Sequence, residues 1–212
     1  MFELSQLLVS IQLRLFKKNV VADLYKNCNQ KRALLYYKTD PLASSRLVKL
    51  YSHTNNAEII IMLNLLKKNG YIVDLVDRSA QWHQIQPLQK NDYDLFLGIG
   101  SGNFKFFNKI KFNFKIGKTV ILGTGPEPLL SNRLVMGVHN ECSNRNNQNF
   151  STRRLIQSSE EDIKERYRGV SAVFYYGNNF NKEAWSLVTK NLFRILPSTS
   201  PSIDFSMKNL QL

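Results

Sequence analysis

A helix that is stopped by a glycine and followed at once by a strand is the feature that most constrains the fold of this chain. The run Ser52-His53-Thr54-Asn55-Asn56-Ala57-Glu58 is a polar turn that opens an apolar helix pattern. Gly70 ends this pattern, and residues 71–76 form an apolar run typical of a buried strand, with Asp77 directly after it. A helix that returns the chain to a neighbouring strand builds a parallel sheet.

The same alternation continues along the chain. Strands are predicted at residues 32–37, 71–76, 93–98, 118–122, 171–176 and 192–196. Helices are predicted at 55–68, 103–111, 160–168 and 182–190, with a helix start at Pro128 and a short helix or turn at 81–89. The polar stretch 140–157 is predicted to be a long loop. This spacing predicts the α/β class, with a Rossmann-like parallel sheet and helices on both faces.

The chain divides into three segments. Residues 1–30 contain leucines and isoleucines at helical spacing and are predicted to form an N-terminal amphipathic helix. We expect this helix to pack on the domain, and an anchor to a membrane surface is the alternative. Residues 31–197 form the Rossmann-like domain, and 198–212 are a linker or tail.

The balance of charge bears on partners rather than on fold. The formal net charge is +13, which favours nucleic acid, an anionic membrane or phosphorylated substrates as partners. Residues 104–115 alternate aromatic residues and lysines. Three interpretations of this stretch are possible. We rank first a helix and strand with buried phenylalanines and solvated lysines, second a contact with an anionic membrane, and third the binding of single-stranded nucleic acid.

Several absences in the sequence narrow the compartment and the chemistry. The two cysteines, Cys28 and Cys142, form no CxxC pair, and no metal-ligand spacing is found. No run of 18 apolar residues or signal-peptide pattern occurs. We therefore expect a cytoplasmic chain. Peripheral binding to the inner face of the membrane is compatible with that location.

Candidate functional residues follow predicted strands, because ligands of parallel sheets bind at the carboxyl ends of the strands. His53 could act as a general base or a hydrogen-bond donor, or simply cap the helix. Gly98-Ile99-Gly100-Ser101-Gly102-Asn103 could present backbone N–H groups to a ligand. It lacks the GxGxxG spacing of a nicotinamide site, so a tight turn that lines a substrate cleft is favoured. His139-Asn140-Glu141 opens the predicted polar loop.

The order of these motifs resembles the N-terminal domain of GT-B glycosyltransferases, in particular the bacterial group 1 type. The motifs are His53-Thr54-Asn55 with Glu58, Gly70-Tyr71-x-Val73-Asp74, Tyr93-Asp94-Leu95-Phe96 before the glycine turn, and Gly177-Asn178 after the strand 172–176. The resemblance covers residues 32–204, and Pro197 would begin the crossover to a second domain.

The resemblance implies that this domain binds mainly the acceptor, while a second domain binds a nucleotide-sugar without a bound metal ion or other cofactor. His53 is the implied catalytic residue. The implied substrate-binding residues are Thr54, Asn55, Glu58, Gly100, Ser101, Gly102, Asn103, Gly125, His139, Asn140, Glu141, Gly177 and Asn178.

The 212 residues hold no second set of βαβ units and no Gly-rich turn with paired glutamates. We therefore expect sugar transfer only together with a donor-binding domain or partner chain, onto a glycan or lipid-linked acceptor. The alternative is a non-catalytic basic module that binds an anionic membrane surface, or less favourably nucleic acid.

Overall fold

The computed structural model describes residues 19–25, 31–43, 54–99, 104–146 and 159–195. Within them the chain forms a sheet of seven strands in the order β1-β3-β2-β4-β5-β6-β7. β1 runs antiparallel to β3, and every other pair is parallel. The strands are β1 Val20–Leu24, β2 Arg32–Tyr37, β3 Ile72–Asp77, β4 Asp92–Ile99, β5 Lys115–Gly123, β6 Val170–Tyr175 and β7 Leu192–Arg194.

The helices lie between the strands. They are α1 Asp40–Ala43, α2 Thr54–Lys68, α3 Trp82–Ile85, α4 Phe104–Asn113, α5 Pro128–Asn146, α6 Glu160–Tyr167 and α7 Asn179–Ser186, with a 3₁₀ helix at Gln86–Lys90 after α3. The mostly parallel sheet with intervening helices confirms the predicted α/β, Rossmann-like fold. No helix in the described part of the chain is long and apolar enough to span a membrane.

Alternating side chains of β2 show how the sheet is buried on both faces. Leu34 and Tyr36 belong to one apolar cluster, and Leu35 and Tyr37 belong to the other. The buried helical side chains of the first cluster come from α3, the 3₁₀ helix, α4 and α7, and those of the second come from α2. Strands covered on both faces are continuous apolar runs, which is why the pattern in 32–37 predicted β2 correctly.

The end of α2 shows how a single glycine sets the helix-to-strand turn. Gly70 has a φ of +77°, and its N–H donates to the carbonyl of Lys67 at 3.0 Å. The N–H of Tyr71 donates to the carbonyl of Leu66, also at 3.0 Å. These two bonds form a Schellman motif, which any residue with a Cβ would strain at the Gly70 position. The predicted stop at Gly70 is confirmed.

A charged network near the amino edge of the sheet attaches β1. Asp74, fully buried in β3, accepts from the backbone N–H of Asp23 at 2.7 Å and from Arg32 Nη1 at 2.8 Å. The hydroxyl of Tyr93 at 2.6 Å and the amide of Asn91 at 3.2 Å donate to the same carboxylate. Such a buried charge is tolerated because every oxygen is hydrogen-bonded and a cation lies beside it.

Three sequence-based expectations need correction or completion. The predicted loop at 140–157 is wrong at its start, because α5 continues to Asn146. The last helix begins at Asn179 and ends at Ser186 rather than spanning 182–190. Residues 20–24, expected to lie in an N-terminal helix, form the edge strand β1, while residues 1–18 and the tail at 198–212 lie outside the described residues.

Candidate functional site

The strand order places the natural ligand crevice at the carboxyl ends of β2 and β4. β3 lies on one side of β2, and β4, which follows β3 in the chain, lies on the other side. The direction in which strands are added therefore reverses between β2 and β4, and this reversal is the topological switch point of the parallel sheet. Four of the candidate residues, Gly100, Ser101, Gly102 and Asn103, follow β4 directly but lie outside the described residues. His53 also lies outside them, directly before Thr54 at the start of α2.

Glu58 is the candidate residue that the structure places at this edge most clearly. Its side chain is buried, and Tyr37 at the end of β2 donates its hydroxyl to Oε2 at 2.5 Å. Tyr176, directly after β6, donates its hydroxyl to Oε1 at 2.9 Å. Glu58 therefore ties the ends of two strands that are separated in the sheet by β4 and β5. Thr54 and Asn55 occupy the first turn of the same helix.

Both tyrosines act as donors in this bridge. Three causes raise the pKa of Tyr37 well above its ordinary value. The largest is burial, the second is the hydrogen bond to Glu58, and the third is the negative charge of Glu58. The same three causes raise the pKa of Tyr176. The two hydroxyls therefore remain protonated across the physiological range, and Glu58 is the acceptor of both bonds.

Asp77, at the carboxyl end of β3, is occupied by hydrogen bonds to the neighbouring loops. Oδ2 accepts from the backbone N–H and the hydroxyl of Thr39, at 2.8 and 3.2 Å. Oδ1 accepts from the backbone N–H and the hydroxyl of Ser79, at 2.8 and 2.7 Å. A dinucleotide site needs an acidic residue that is available to a ribose hydroxyl. Asp77 is committed to these loops, which agrees with the low rank given to a nicotinamide site.

Glycines at the ends of β4 and β5 allow close packing of aromatic side chains. A Cβ on Gly98 would lie 2.6 Å from Cε2 of Phe107 in α4. A Cβ on Gly123 would lie 2.9 Å from the ring of Trp185 in α7. The carbonyl of the candidate residue Gly125 accepts from Trp185 Nε1 at 3.3 Å. The first glycine of the Gly98-x-Gly100 run thus has a packing role.

The turn after β6 holds the candidate residues Gly177 and Asn178. Gly177 has a φ of +110°, and a Cβ there would clash with the amide of Asn181. Asn178 caps α7 by accepting from the backbone N–H of Asn181 at 3.3 Å, and the Asn181 amide donates to the carbonyl of Tyr176 at 2.9 Å. An open cleft of about 370 Å³ lies here, lined by Gly177, Asn178, Phe180, Asn181 and Arg194.

His139, Asn140 and Glu141 lie in α5 rather than in a loop. The helix starts at the carboxyl edge of β5, and His139 lies about 16 Å along it at 1.5 Å per residue. Glu141 forms an ion pair with Arg145 one turn later, and both side chains are mostly exposed. These three residues therefore lie on a helix and not in the polar loop that the sequence predicted.

The stretch of alternating aromatics and lysines is largely part of the core. Phe107, Ile110 and Phe114 are buried. Lys111 donates from Nζ to the carbonyls of Glu165 and Arg166, at 3.3 and 2.9 Å, and also contacts the carbonyl of Arg168, at the end of α6. The side chain of Phe112 is 57% exposed. The packing interpretation that we ranked first agrees with these positions.

Comparisons with models of protein families, with curated proteins and with solved structures found no match. The function must therefore be argued from the site itself.

Sequence reasoning missed three residues of the carboxyl edge. Tyr37 and Tyr176 each end or follow a predicted strand, and that position was the available signal for them. Arg194 lies in the last strand of the sheet, where a lone arginine gives no signal of a cleft. In the described residues, no group of three or more His, Cys, Asp and Glu side chains could hold a metal ion.

Proposed function

We propose that this chain is the acceptor-binding half of a GT-B-type glycosyltransferase, which transfers sugar together with a domain or partner chain that binds the nucleotide-sugar. One observation carries the proposal. The end of β2, the first two turns of α2 and the turn after β6 meet at one edge of the sheet, where Glu58 bonds Tyr37 and Tyr176. An edge of this kind, pre-organised by buried hydrogen bonds, supports a polar binding site between loops.

The roles proposed for the residues follow from this position. His53 directly precedes the helix whose second turn holds Glu58, and we assign it the contact with the transferred sugar. Glu58 positions the edge, because both of its oxygens are already bonded to tyrosines. The turn Gly177-Asn178 offers the acceptor a rigid wall that is fixed by Asn181.

The test combines the chain with a donor-binding partner and a panel of nucleotide-sugars. The partner to try first is a Rossmann-like domain with a Gly-rich turn and paired glutamates. Product is detected by mass spectrometry of an added glycan or lipid-linked acceptor. We expect transfer from one nucleotide-sugar, with His53→Ala lowering the rate at least about 100-fold.

His83→Ala is the matched control for this experiment. His83 is an exposed histidine in α3 that belongs to none of the candidate segments, so its replacement should leave the rate within about twofold. Absence of transfer from every nucleotide-sugar would rule out the proposed glycosyltransferase function. Equal rates for the two histidine variants would rule out the proposed role of His53.

A second candidate, a basic module that binds an anionic membrane, draws support from Phe112. This exposed ring lies in the lysine-rich helix α4 of a chain with a net charge of +13. Co-sedimentation with vesicles of phosphatidylserine and phosphatidylcholine tests it. Binding that falls with salt and with Phe112→Ser would support this candidate, and no binding at low salt would remove it.

A further inference from the structure

We propose that the cleft between the β6 turn and β7 is the acceptor subsite and that it takes a sugar bearing an anionic group, either a carboxylate or a phosphate. The inference rests on the proposed function and names the class of acceptor. Its residues are Gly177, Asn178, Phe180, Asn181 and Arg194, around a volume of about 370 Å³. The cleft is open to solvent, which suits a sugar that is part of a longer glycan.

Arg194 supplies the recognition of charge. It is exposed at the end of β7, and within the described residues it forms no ion pair or hydrogen bond with another side chain. A guanidinium presents a planar set of donors that matches a carboxylate or a phosphate. A cation that lines a cleft and has no partner among the described residues is therefore suited to an anion supplied by a ligand.

Phe180 supplies an apolar platform. Its side chain is 51% exposed although it lies in the first turn of α7 and lines the cleft. An exposed aromatic ring next to polar groups is suited to the C–H face of a pyranose ring, which is apolar, while the sugar hydroxyls reach the groups around it.

The two asparagines supply polar groups for those hydroxyls. Asn178 uses its side-chain oxygen to cap α7, which leaves its amide N–H groups to face the cleft. Asn181 uses its amide to bond the carbonyl of Tyr176, which leaves its side-chain oxygen as an acceptor. The cap satisfies the backbone N–H of Asn181 at the start of α7, and Arg194 is the lining residue whose charge can pair with an anion.

The test is binding to the full chain, followed by amide NMR shifts at Gly177 and Asn178. The probes are methyl β-glucuronide for a carboxylate, glucose 6-phosphate for a phosphate, and the neutral methyl β-glucoside. Inorganic phosphate tests for binding of an anion alone. We expect at least one anionic sugar to shift both amides and to bind about tenfold more tightly than the neutral glycoside. The stronger of the two anionic sugars identifies the group.

Two variants separate a built site from general attraction to a basic chain. Arg194→Gln should weaken the anionic sugar about tenfold and leave the neutral glycoside unchanged. Lys190→Gln removes the same charge at the opposite end of β7 and should have less than a twofold effect. Phe180→Ala should weaken all three sugars and leave inorganic phosphate unchanged.

Three results would overturn the inference. They are equal effects of Arg194→Gln and Lys190→Gln, shifts by inorganic phosphate as large as those by either sugar, and no shift of the two amides at millimolar ligand. Because binding is measured on the chain alone, its failure is distinct from a failure of sugar transfer. Transfer that persists without binding in this cleft would place the acceptor elsewhere and leave the proposed function standing.

Discussion

The two edges of the sheet hold their buried carboxylates in different ways. Near the amino edge, Asp74 is paired with the guanidinium of Arg32 and is bonded by Tyr93 and Asn91. At the carboxyl edge, Asp77 and Glu58 are held by hydroxyl and backbone N–H donors, and neither forms an ion pair within the described part of the chain.

The difference indicates that the two edges of the sheet have different roles. The amino edge neutralises a buried charge with a cation and thereby attaches an edge strand, which is a contribution to stability. The carboxyl edge uses its carboxylates to align loops, which is what a binding site at the strand ends requires. Four substitutions and two control variants test this contrast.

The largest effect on stability is expected from Asp74→Asn. The change removes one of the two carboxylates that pair with Arg32, whose side chain is only 18% exposed, and leaves its ion pair with Asp23. We expect the free energy of unfolding to fall by about 3 kcal/mol, because the mostly buried guanidinium loses the fully buried one of its two carboxylate partners. Urea unfolding followed by circular dichroism measures the change.

Asp92→Asn is the control for this prediction at the same edge. Asp92 pairs with Lys115, and both side chains are more than two-thirds exposed, at 71% and 80%. Its loss should lower the free energy of unfolding by about 0.5 kcal/mol or less. Equal losses for the two aspartates would contradict the structural role given to the amino edge.

Gly98→Ala comes next in size and tests packing at the carboxyl edge. The added methyl group would lie 2.6 Å from Phe107, inside van der Waals contact. We expect a loss of about 2 kcal/mol in the free energy of unfolding, because a close-packed core resists added volume. Gly137→Ala, in α5 with no atom within 4 Å of the new Cβ, should instead be neutral or stabilising.

Asp77→Asn should change the pH dependence of stability. Burial alone would raise the pKa of Asp77, but hydrogen bonds from Ser79 and Thr39 outweigh burial and hold the pKa below its ordinary value of 3.8. The contribution to stability is therefore present above pH 3.8 and is lost as the pH falls through the lower folded-state pKa.

Unfolding curves of the natural chain and the Asp77→Asn variant between pH 2 and 7 measure this contribution. We expect the natural chain to be more stable by about 1–2 kcal/mol at neutral pH, with the difference shrinking as the pH falls below the ordinary carboxyl range. A constant difference across the whole range would show that the charge of Asp77 is not what holds the loops.

Apart from the control variants, Tyr176→Phe should have the smallest effect on stability, and its effect on function should be larger. Glu58 keeps its bond to Tyr37, so the free energy of unfolding should fall by only about 1 kcal/mol. Sugar transfer by the completed enzyme should fall about tenfold, because the turn before Gly177 loses its attachment to α2. A loss of stability without any loss of transfer would assign the bridge to folding alone.

The regular elements of the domain were predictable because their signals are local. β2 is a continuous apolar run, and the stop of α2 needs only Gly70 and its positive φ. The start of α5 at Pro128 was also predictable from the sequence. The C-terminal end of α5 was not predictable, because its later turns are largely exposed and lack an apolar stripe. Local patterns therefore determined the class of fold and most of its strands.

The site depended on tertiary structure because its contacts join distant parts of the chain. Glu58 and Tyr176 are 118 residues apart, and no local pattern relates a glutamate on one helix to a tyrosine after the sixth strand. β1 pairs antiparallel with β3, so that Val20 lies opposite Val76, and Arg194 lines a cleft only because β7 pairs with β6. The sequence by itself determined which segments become strands and helices, since that depends on neighbouring residues. Which strand ends meet was decided by the order of strands in the sheet, which depends on the packing of the whole domain.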